Sequence, residues 1–173
     1  GDLLSTSANL IEAMVDRAGY YYRAPITEIT ENRCPTGYTI KKGLTTDPAQ
    51  GPVLPSYTAC VVYRAAEAYL NYMEADCELN NGNLDENSMR YWKALRTRVG
   101  MDANSVQTTI DNTDLSKEID LARYSGDQLV SNVLYNIRRE RRIEFAAEGM
   151  RFNDLKRWRA LDNMQNYHTV GFN

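Results

Sequence analysis

The sequence has little of what metal and disulfide chemistry need. It contains three cysteines and one histidine among 173 residues. The cysteines, Cys34, Cys60 and Cys77, are odd in number and widely spaced, which fits neither a complete disulfide framework nor a zinc ribbon. The histidine, His168, has no histidine or cysteine near it in the sequence. We therefore predict no metal site and no cofactor, and we interpret Cys60 and Cys77 as small buried side chains on one helix.

An excess of positive charge is also missing. The 20 Lys and Arg residues are outnumbered by 23 Asp and Glu residues, so the formal net charge is -3. This balance offers no electrostatic footprint for phosphate backbones, and nucleic acid is not an expected partner. No apolar run reaches the roughly 18 residues that a membrane-spanning helix needs. No secretory leader is evident at Gly1, so either the protein is not exported or the chain begins downstream of its leader.

Prolines are few and confined to one part of the chain. All five lie between Pro25 and Pro55, a composition that is typical of loops. A helix is predicted before them, over residues 6–18, because apolar residues recur there at helical spacing. The chain is therefore expected to divide into a loop-rich segment with one helix over residues 1–55 and a helical region over residues 56–173.

Helical periodicity is strong beyond residue 55. A helix starting at Ser56 is predicted to bury the face formed by Val61, Ala65, Ala68, Tyr72, Ala75 and Leu79. Gly82 suits the left-handed position that ends this helix. Asn83 and Glu86 resemble a capping box, which opens a second helix that ends before Gly100 and carries Met89, Trp92, Leu95 and Val99 inward. Two helices joined by a tight turn form an αα-hairpin.

Two further main helices are predicted in the rest of the chain, after a polar connection. Residues 101–124 are interpreted as a polar connection with one short helix around residues 115–122. Ser125 with Gln128 resembles another capping box, and it opens the longest helix, which is predicted to end at Gly149. A last helix carries an apolar residue at every third position: Phe152, Leu155, Trp158 and Leu161.

The predicted fold class is mainly α. Helical hairpins are expected to be joined by irregular loops, with at most a small β-hairpin. Residues 26–30 and 38–41 are the candidates for strands, because they are short and rich in β-formers. Trp92 and Trp158 lie on apolar stripes and are predicted to anchor the core.

The stretch ERRIEFAAEGMRFNDLKRW, residues 140–158, is densely charged where the last helices should pack. The apolar stripe of Val130, Leu134 and Ile137 continues in register into charged residues, so the charges are expected to face inward. An isolated buried charge costs several kcal/mol, and such groups persist only when they are paired. We predict a partly buried ion network that fixes how the last two helices cross, formed by Arg141, Glu144, Glu148, Arg151, Asp154 and Arg157.

Catalysis is the alternative interpretation of the same residues. Glu144 and Glu148 lie one helical turn apart, a spacing that carboxylate metal sites and acid/base pairs can use. Metal sites of this kind in helical bundles normally add histidines, and glycosidases need two carboxylates across an open cleft. Arginines surround these two residues in the sequence, so we favour the structural network and predict no catalytic residues.

The charged stretch also resembles a known family signature. IRRERRIEFAAEGMRFNDLKRW is similar to the C-terminal pattern of the SusD/RagB family of surface nutrient-binding lipoproteins. Two segments further upstream, VVYRAAEAYLNYMEAD and WKALRTRVGM, resemble that family's preceding helices, in order and spacing. Together the matching pieces cover roughly residues 57–160. The signature positions in register are Glu140, Arg141, Arg142, Ile143, Glu144, Glu148, Gly149, Arg151, Asp154, Leu155, Arg157 and Trp158.

This resemblance implies a fold and a role. Family members combine tetratricopeptide-like helix pairs with irregular portions and are much longer than this chain, which is expected to be a fragment. They are anchored on the outer face of the outer membrane through a lipidated N-terminal cysteine, which this chain does not contain. The implied role is to capture an oligosaccharide or polysaccharide and pass it to a TonB-dependent, SusC-like transporter, without catalysis. Two alternatives stay open, a peptide-binding RagB-like member and a helical protein-interaction module with no glycan ligand.

Aromatic side chains are the candidates for ligand contacts. The chain holds 12 tyrosines, and aromatic faces commonly bind the apolar side of sugar rings. The segment GYYYRAP places Tyr20, Tyr21 and Tyr22 beside Arg23 in a predicted loop, which makes these four residues the candidate carbohydrate-binding platform. The alternative, which we favour, is that these tyrosines pack on the core or cover it, as half-buried tyrosines commonly do.

Overall fold

The computed structural model of the chain describes Lys42 and residues 61–162. The chain forms two compact units, Gly1–Cys60 with Thr169–Asn173, and Val61–His168. Residues 61–162 belong to the second unit. Several sequence predictions lie outside the described residues: the helix over 6–18, the strands at 26–30 and 38–41, and the platform of Tyr20, Tyr21, Tyr22 and Arg23.

The first described helix is α1, Ala65–Leu79. It begins later than predicted, because residues 61–64 are not helical. It ends where Asn81 and Gly82 adopt left-handed backbone angles, with φ of 53° and 90°. The Gly82 N–H donates to the Cys77 carbonyl over 2.8 Å, which closes the helix end as the sequence predicted.

The predicted buried face of α1 was wrong. Ala65, Ala68, Tyr72, Ala75 and Leu79 are exposed, as is Val61 before the helix. The buried apolar residues are Ala66, Leu70, Met73 and Cys77, which lie at steps of four, three and four. Two apolar registers therefore run along this helix, and the one that packs in the core carries Leu70 and Met73.

The second helix is α2, Glu86–Arg98, and it packs against α1 as the predicted helical hairpin. Its cap is Asp85, whose carboxylate accepts a hydrogen bond from the Ser88 N–H over 2.7 Å, so the predicted capping box at Asn83 was wrong. Trp92 and Leu95 are buried as predicted, whereas Val99 is exposed.

A short connection replaces the predicted helix over residues 115–122. Helix α3 lies earlier, at Ser105–Asp111, and Leu121–Arg123 forms a single 3-10 turn. Two antiparallel strands follow, β1 (Tyr124–Ser125) and β2 (Gln128–Leu129), with Ser125 opposite Gln128. Those two residues therefore form a hairpin around Gly126, φ 58°, and the capping box predicted from them was wrong.

Helix α4, Asn132–Glu144, begins at Ser131, whose hydroxyl accepts a hydrogen bond from the Leu134 N–H over 3.2 Å. It ends five residues before Gly149, and the chain turns through Ala147 and Gly149, which have φ of 64° and 75°. The last helix is α5, Arg151–Arg157.

Two apolar clusters hold these elements together. The larger joins α1, α2, α3 and α4 around Leu70, Met73, Trp92 and Ile137. The smaller packs the 3-10 turn against the end of α5 through Ala122, Leu155, Trp158 and Ala160. Phe152, predicted to share the α5 stripe, is exposed.

The prediction of a mainly α fold with at most a small hairpin is confirmed for the part of the chain that the structure describes. None of its helices combines the length and apolar character that a membrane crossing requires.

Candidate functional site

The charged signature centres on one buried ion pair between α4 and α5. Arg141 donates from Nε to both carboxylate oxygens of Asp154 over 2.8 Å. The two side chains are only 4% and 5% exposed. A second donor, Arg141 Nη1, reaches Asn71 Oδ1 on α1 over 2.8 Å, and the guanidinium lies 5.0 Å from the ring centre of Phe145. This pair therefore connects three helices.

Glu74 on α1 is the second centre of charge, and sequence reasoning missed it. It accepts hydrogen bonds from Arg157 Nη1 over 2.8 Å and from Trp158 Nε1. Arg157 also donates from Nε to Asp154 over 3.1 Å, so the two centres share one arginine. Glu74 belongs to the buried register of α1, four residues after Leu70. Choosing that register would have identified it as an inward-facing charge.

Glu144 and Glu148 are held by arginines from other parts of the fold. Arg64 binds the Glu144 carboxylate through Nη1, and it donates to Glu148 from Nε and Nη2 over 3.0 Å and 2.7 Å. Arg98 on α2 adds two contacts of 2.7 Å to Glu144. Desolvation acts to lower the pKa of Arg64, but its hydrogen bonds to Glu148 and Glu144 outweigh this effect, so its pKa is raised. The two carboxylates thus face arginine donors, an arrangement unlike the two carboxylates across a cleft that glycoside hydrolysis uses.

Replacing Glu148 with glutamine is expected to reduce the free energy of unfolding by no more than about 1 kcal/mol. The Glu148 side chain is 29% exposed, so water can solvate Arg64 when the carboxylate charge is lost. Thermal unfolding of Glu148→Gln beside the unmodified chain measures the effect. An unchanged midpoint together with the loss of a hydrolytic activity would contradict the structural role and favour the catalytic one.

Arg151 does not join the pair at Asp154. It binds Asp120, which precedes the 3-10 turn and also contacts Arg142 Nη1 at 2.7 Å. Asp120 in turn accepts from the Ala122 N–H over 2.9 Å, which starts that turn. The structure therefore brings Arg141, Asp154 and Arg157 together. It places Glu144 and Glu148 with Arg64, and Arg151 with Asp120.

An open cleft lies beside this network. Its volume is about 420 Å³, and α1 forms one wall with Asn71, Glu74, Ala75 and Glu78. Residues 157–159, Ser125 and Arg138 line the rest of it. Arg138 is buried, and desolvation lowers its pKa to about 10 in spite of the favourable charges of Glu74 and Glu78. It is held by the Tyr124 carbonyl over 3.0 Å and by the Ser125 hydroxyl over 2.9 Å.

The buried thiol of Cys77 is expected to resist alkylation by iodoacetamide in the folded chain. Burial raises its pKa to about 11 from an ordinary 9.0, which leaves about a hundredfold less reactive thiolate. Peptide mass mapping after alkylation, with and without urea, separates this cysteine from Cys34 and Cys60. Equal modification of Cys77 in both conditions would contradict its burial.

The described residues do not bring three or more His, Cys, Asp or Glu side chains into an arrangement that could hold a metal ion.

Fold and charges together define a mainly α-helical protein whose most densely charged segment is used to join its own helices. The chain matches the family model of the SusD family over residues 5–173, and it belongs to that family. Comparisons with curated proteins and with solved structures each gave no match.

Membership carries general expectations. SusD family proteins bind glycans or other nutrients at the cell surface and are associated with the outer membrane. They are binding proteins rather than enzymes. The sequence resemblance, drawn from roughly residues 57–160, is confirmed, and the family match extends over residues 5–173.

Proposed function

We propose that this protein captures an oligosaccharide at the cell surface and delivers it to a TonB-dependent, SusC-like transporter in the outer membrane, without catalysis. The observation that carries the proposal is the family match over residues 5–173. The protein would be held on the outer face of that membrane by a lipidated N-terminal cysteine in a longer precursor. A peptide ligand, as in RagB-like members, is the variant of this function that the same match allows.

The contacts of the charged signature support a structural role for it. Arg141 and Arg157 both donate to Asp154, and Arg157 also donates to Glu74, so these side chains already join helices. These three side chains are therefore not themselves proposed as ligand contacts, and the tyrosines Tyr20, Tyr21 and Tyr22 with Arg23 stay a candidate platform. Replacing the three tyrosines with alanine tests that platform directly.

Isothermal titration of the protein against a panel of plant and host polysaccharides, with a peptide pool as a second arm, tests the capture step. Saturable binding to at least one glycan supports the proposal. Binding to peptides alone would support the RagB-like variant, and no binding in either arm would contradict nutrient capture.

The helical hairpin of α1 and α2 also suits a protein-interaction module with no glycan ligand. Affinity purification from a detergent extract of whole cells, which contains both outer-membrane and cytoplasmic proteins, separates the two functions. Recovery of an outer-membrane β-barrel supports delivery to a transporter, whereas recovery of cytoplasmic partners only would favour the interaction module.

A further inference from the structure

The cleft between α1 and the end of α5 has the size of a small-ligand site. Its volume of about 420 Å³ lies within the usual range of roughly 300–1,000 Å³ for such sites. On α1, Asn71, Ala75 and Glu78 follow one another at steps of four and three, so they share the face that lines the cleft. All three are exposed, which leaves the amide and the carboxylate accessible to a ligand.

The charges in this cleft do not balance. Three arginines and two glutamates line it. Glu74 is bound by Arg157 over 2.8 Å, and Glu78 lies 3.6 Å from Arg138. The remaining cation is Arg159, which has no carboxylate within 4.0 Å among the described residues. The cleft therefore favours a ligand that carries an anionic group.

The backbone at Arg159 is strained in a way that a glycine would relieve. Its φ is 55°, a left-handed value that is uncommon for residues with a side chain. The Ala160 N–H donates to the Leu155 carbonyl over 2.9 Å, and the Arg159 carbonyl accepts from Gly126 over 3.2 Å. Glycine or asparagine is usual at this position after a helix. Retention of a strained backbone is commonly associated with ligand-binding positions, and here the arginine side chain lines the cleft.

Polar contacts, rather than aromatic stacking, must hold a ligand here. Trp158 is 3% exposed, and the guanidinium groups of Arg138 and Arg157 lie 4.6 Å and 4.8 Å from its ring centre. Its faces are therefore covered. The Asn71 Oδ1 accepts from Arg141 over 2.8 Å, so its amide NH2 is the group left to donate. With the Glu78 carboxylate and the Arg159 guanidinium, it suits hydroxyl groups and one carboxylate.

We propose that this cleft binds a uronic acid unit of an acidic glycan, with Arg159 on the sugar carboxylate and with Asn71 and Glu78 on its hydroxyls. This inference rests on the proposed function, since it names the class of sugar that the protein takes. The attraction between Arg159 and the sugar carboxylate should weaken as the salt concentration rises, because Arg159 is exposed to solvent.

Titration with oligogalacturonides of two to four units, against neutral galacto-oligosaccharides of the same length, tests the sugar class. We expect the acidic series to bind at least about tenfold more tightly than the neutral series. Equal binding of both series would overturn it, as would equally tight binding of inorganic phosphate or acetate.

Three variants test the location. Arg159→Gly should weaken binding of the acidic series at least about tenfold while keeping or raising the unfolding midpoint, because it relieves the strained backbone. Ala75→Trp should block the cleft, whereas Ala68→Trp, an exposed position on the same helix outside the cleft, should not.

The outcomes separate the two proposals. If acidic sugars bind equally well to Ala75→Trp and Ala68→Trp, the cleft is not their site, and the inference fails while glycan capture stands. If only neutral glycans bind, the sugar class is wrong and capture again stands. If peptides bind and no sugar does, the inference fails and the RagB-like variant stands; if neither sugars nor peptides bind, both proposals fail.

Discussion

Replacing Asp154 with alanine is expected to lower the free energy of unfolding by about 3–5 kcal/mol, because it leaves a buried arginine without its carboxylate. Asp154 binds Arg141 Nε through both oxygens over 2.8 Å and also accepts from Arg157 over 3.1 Å. Arg141 is 4% exposed, so water cannot replace the lost partner unless the helices separate. The loss should therefore appear as destabilisation of the whole described unit, measured by urea unfolding.

A double substitution tests whether the destabilisation comes from losing the ion pair or from leaving Arg141 buried without a partner. Arg141→Met with Asp154→Leu removes both ions and retains apolar volume, and it should recover most of the stability that Asp154→Ala loses. Lys117 and Asp114 provide the control, since their ion pair is exposed, and Lys117→Ala, at a side chain that is 83% exposed, should leave the unfolding midpoint unchanged. A similar small loss for Asp154→Ala and Lys117→Ala would contradict the buried clamp between α4 and α5.

The direction in which the charges of α4 face could be predicted from the sequence, but most of their partners could not. Leu134, Ile137 and Arg141 are buried in register, because side chains three and four positions apart share a helical face. The partners of the signature residues include Arg64, Glu74 and Asp120, which lie up to 84 residues away in the sequence. Local spacing holds no information about such distant pairs, so their identity depends on how the helices pack.

Competing local signals explain the errors at helix starts. Asn83 and Asp85 both offer side chains that can cap α2, and Asp85 is the cap because its own N–H is held by Asp76 over 2.8 Å. Ser125 and Ser131 compete in the same way before α4. The Gly126 turn pairs Ser125 with Gln128, which leaves Ser131 to cap the helix. In both cases a contact outside the capping motif decides between two acceptable residues.

Replacing Glu74 with glutamine is expected to cost about 3–5 kcal/mol, although the side chain keeps its size. Glu74 is the carboxylate that Arg157 binds over 2.8 Å and that lies 3.9 Å from the Nε of Arg138. It also accepts from Trp158 Nε1 at the edge of the smaller apolar cluster. Glutamine removes the negative charge and turns an amide donor toward arginines, so Arg138, which is 2% exposed, would remain charged without sufficient compensation.

Glu78→Gln is the matched control for this effect, because Glu78 lies on the same face of α1 four residues later. Its side chain is 56% exposed, and its loss should cost less than about 1 kcal/mol. Urea unfolding of both variants at equal ionic strength gives the comparison. Equal losses of unfolding free energy in the two variants would show that solvent exposure does not determine how much each glutamate contributes to stability. A loss for Glu74→Gln alone would identify Glu74 as the carboxylate through which α1 is fixed to the end of α5.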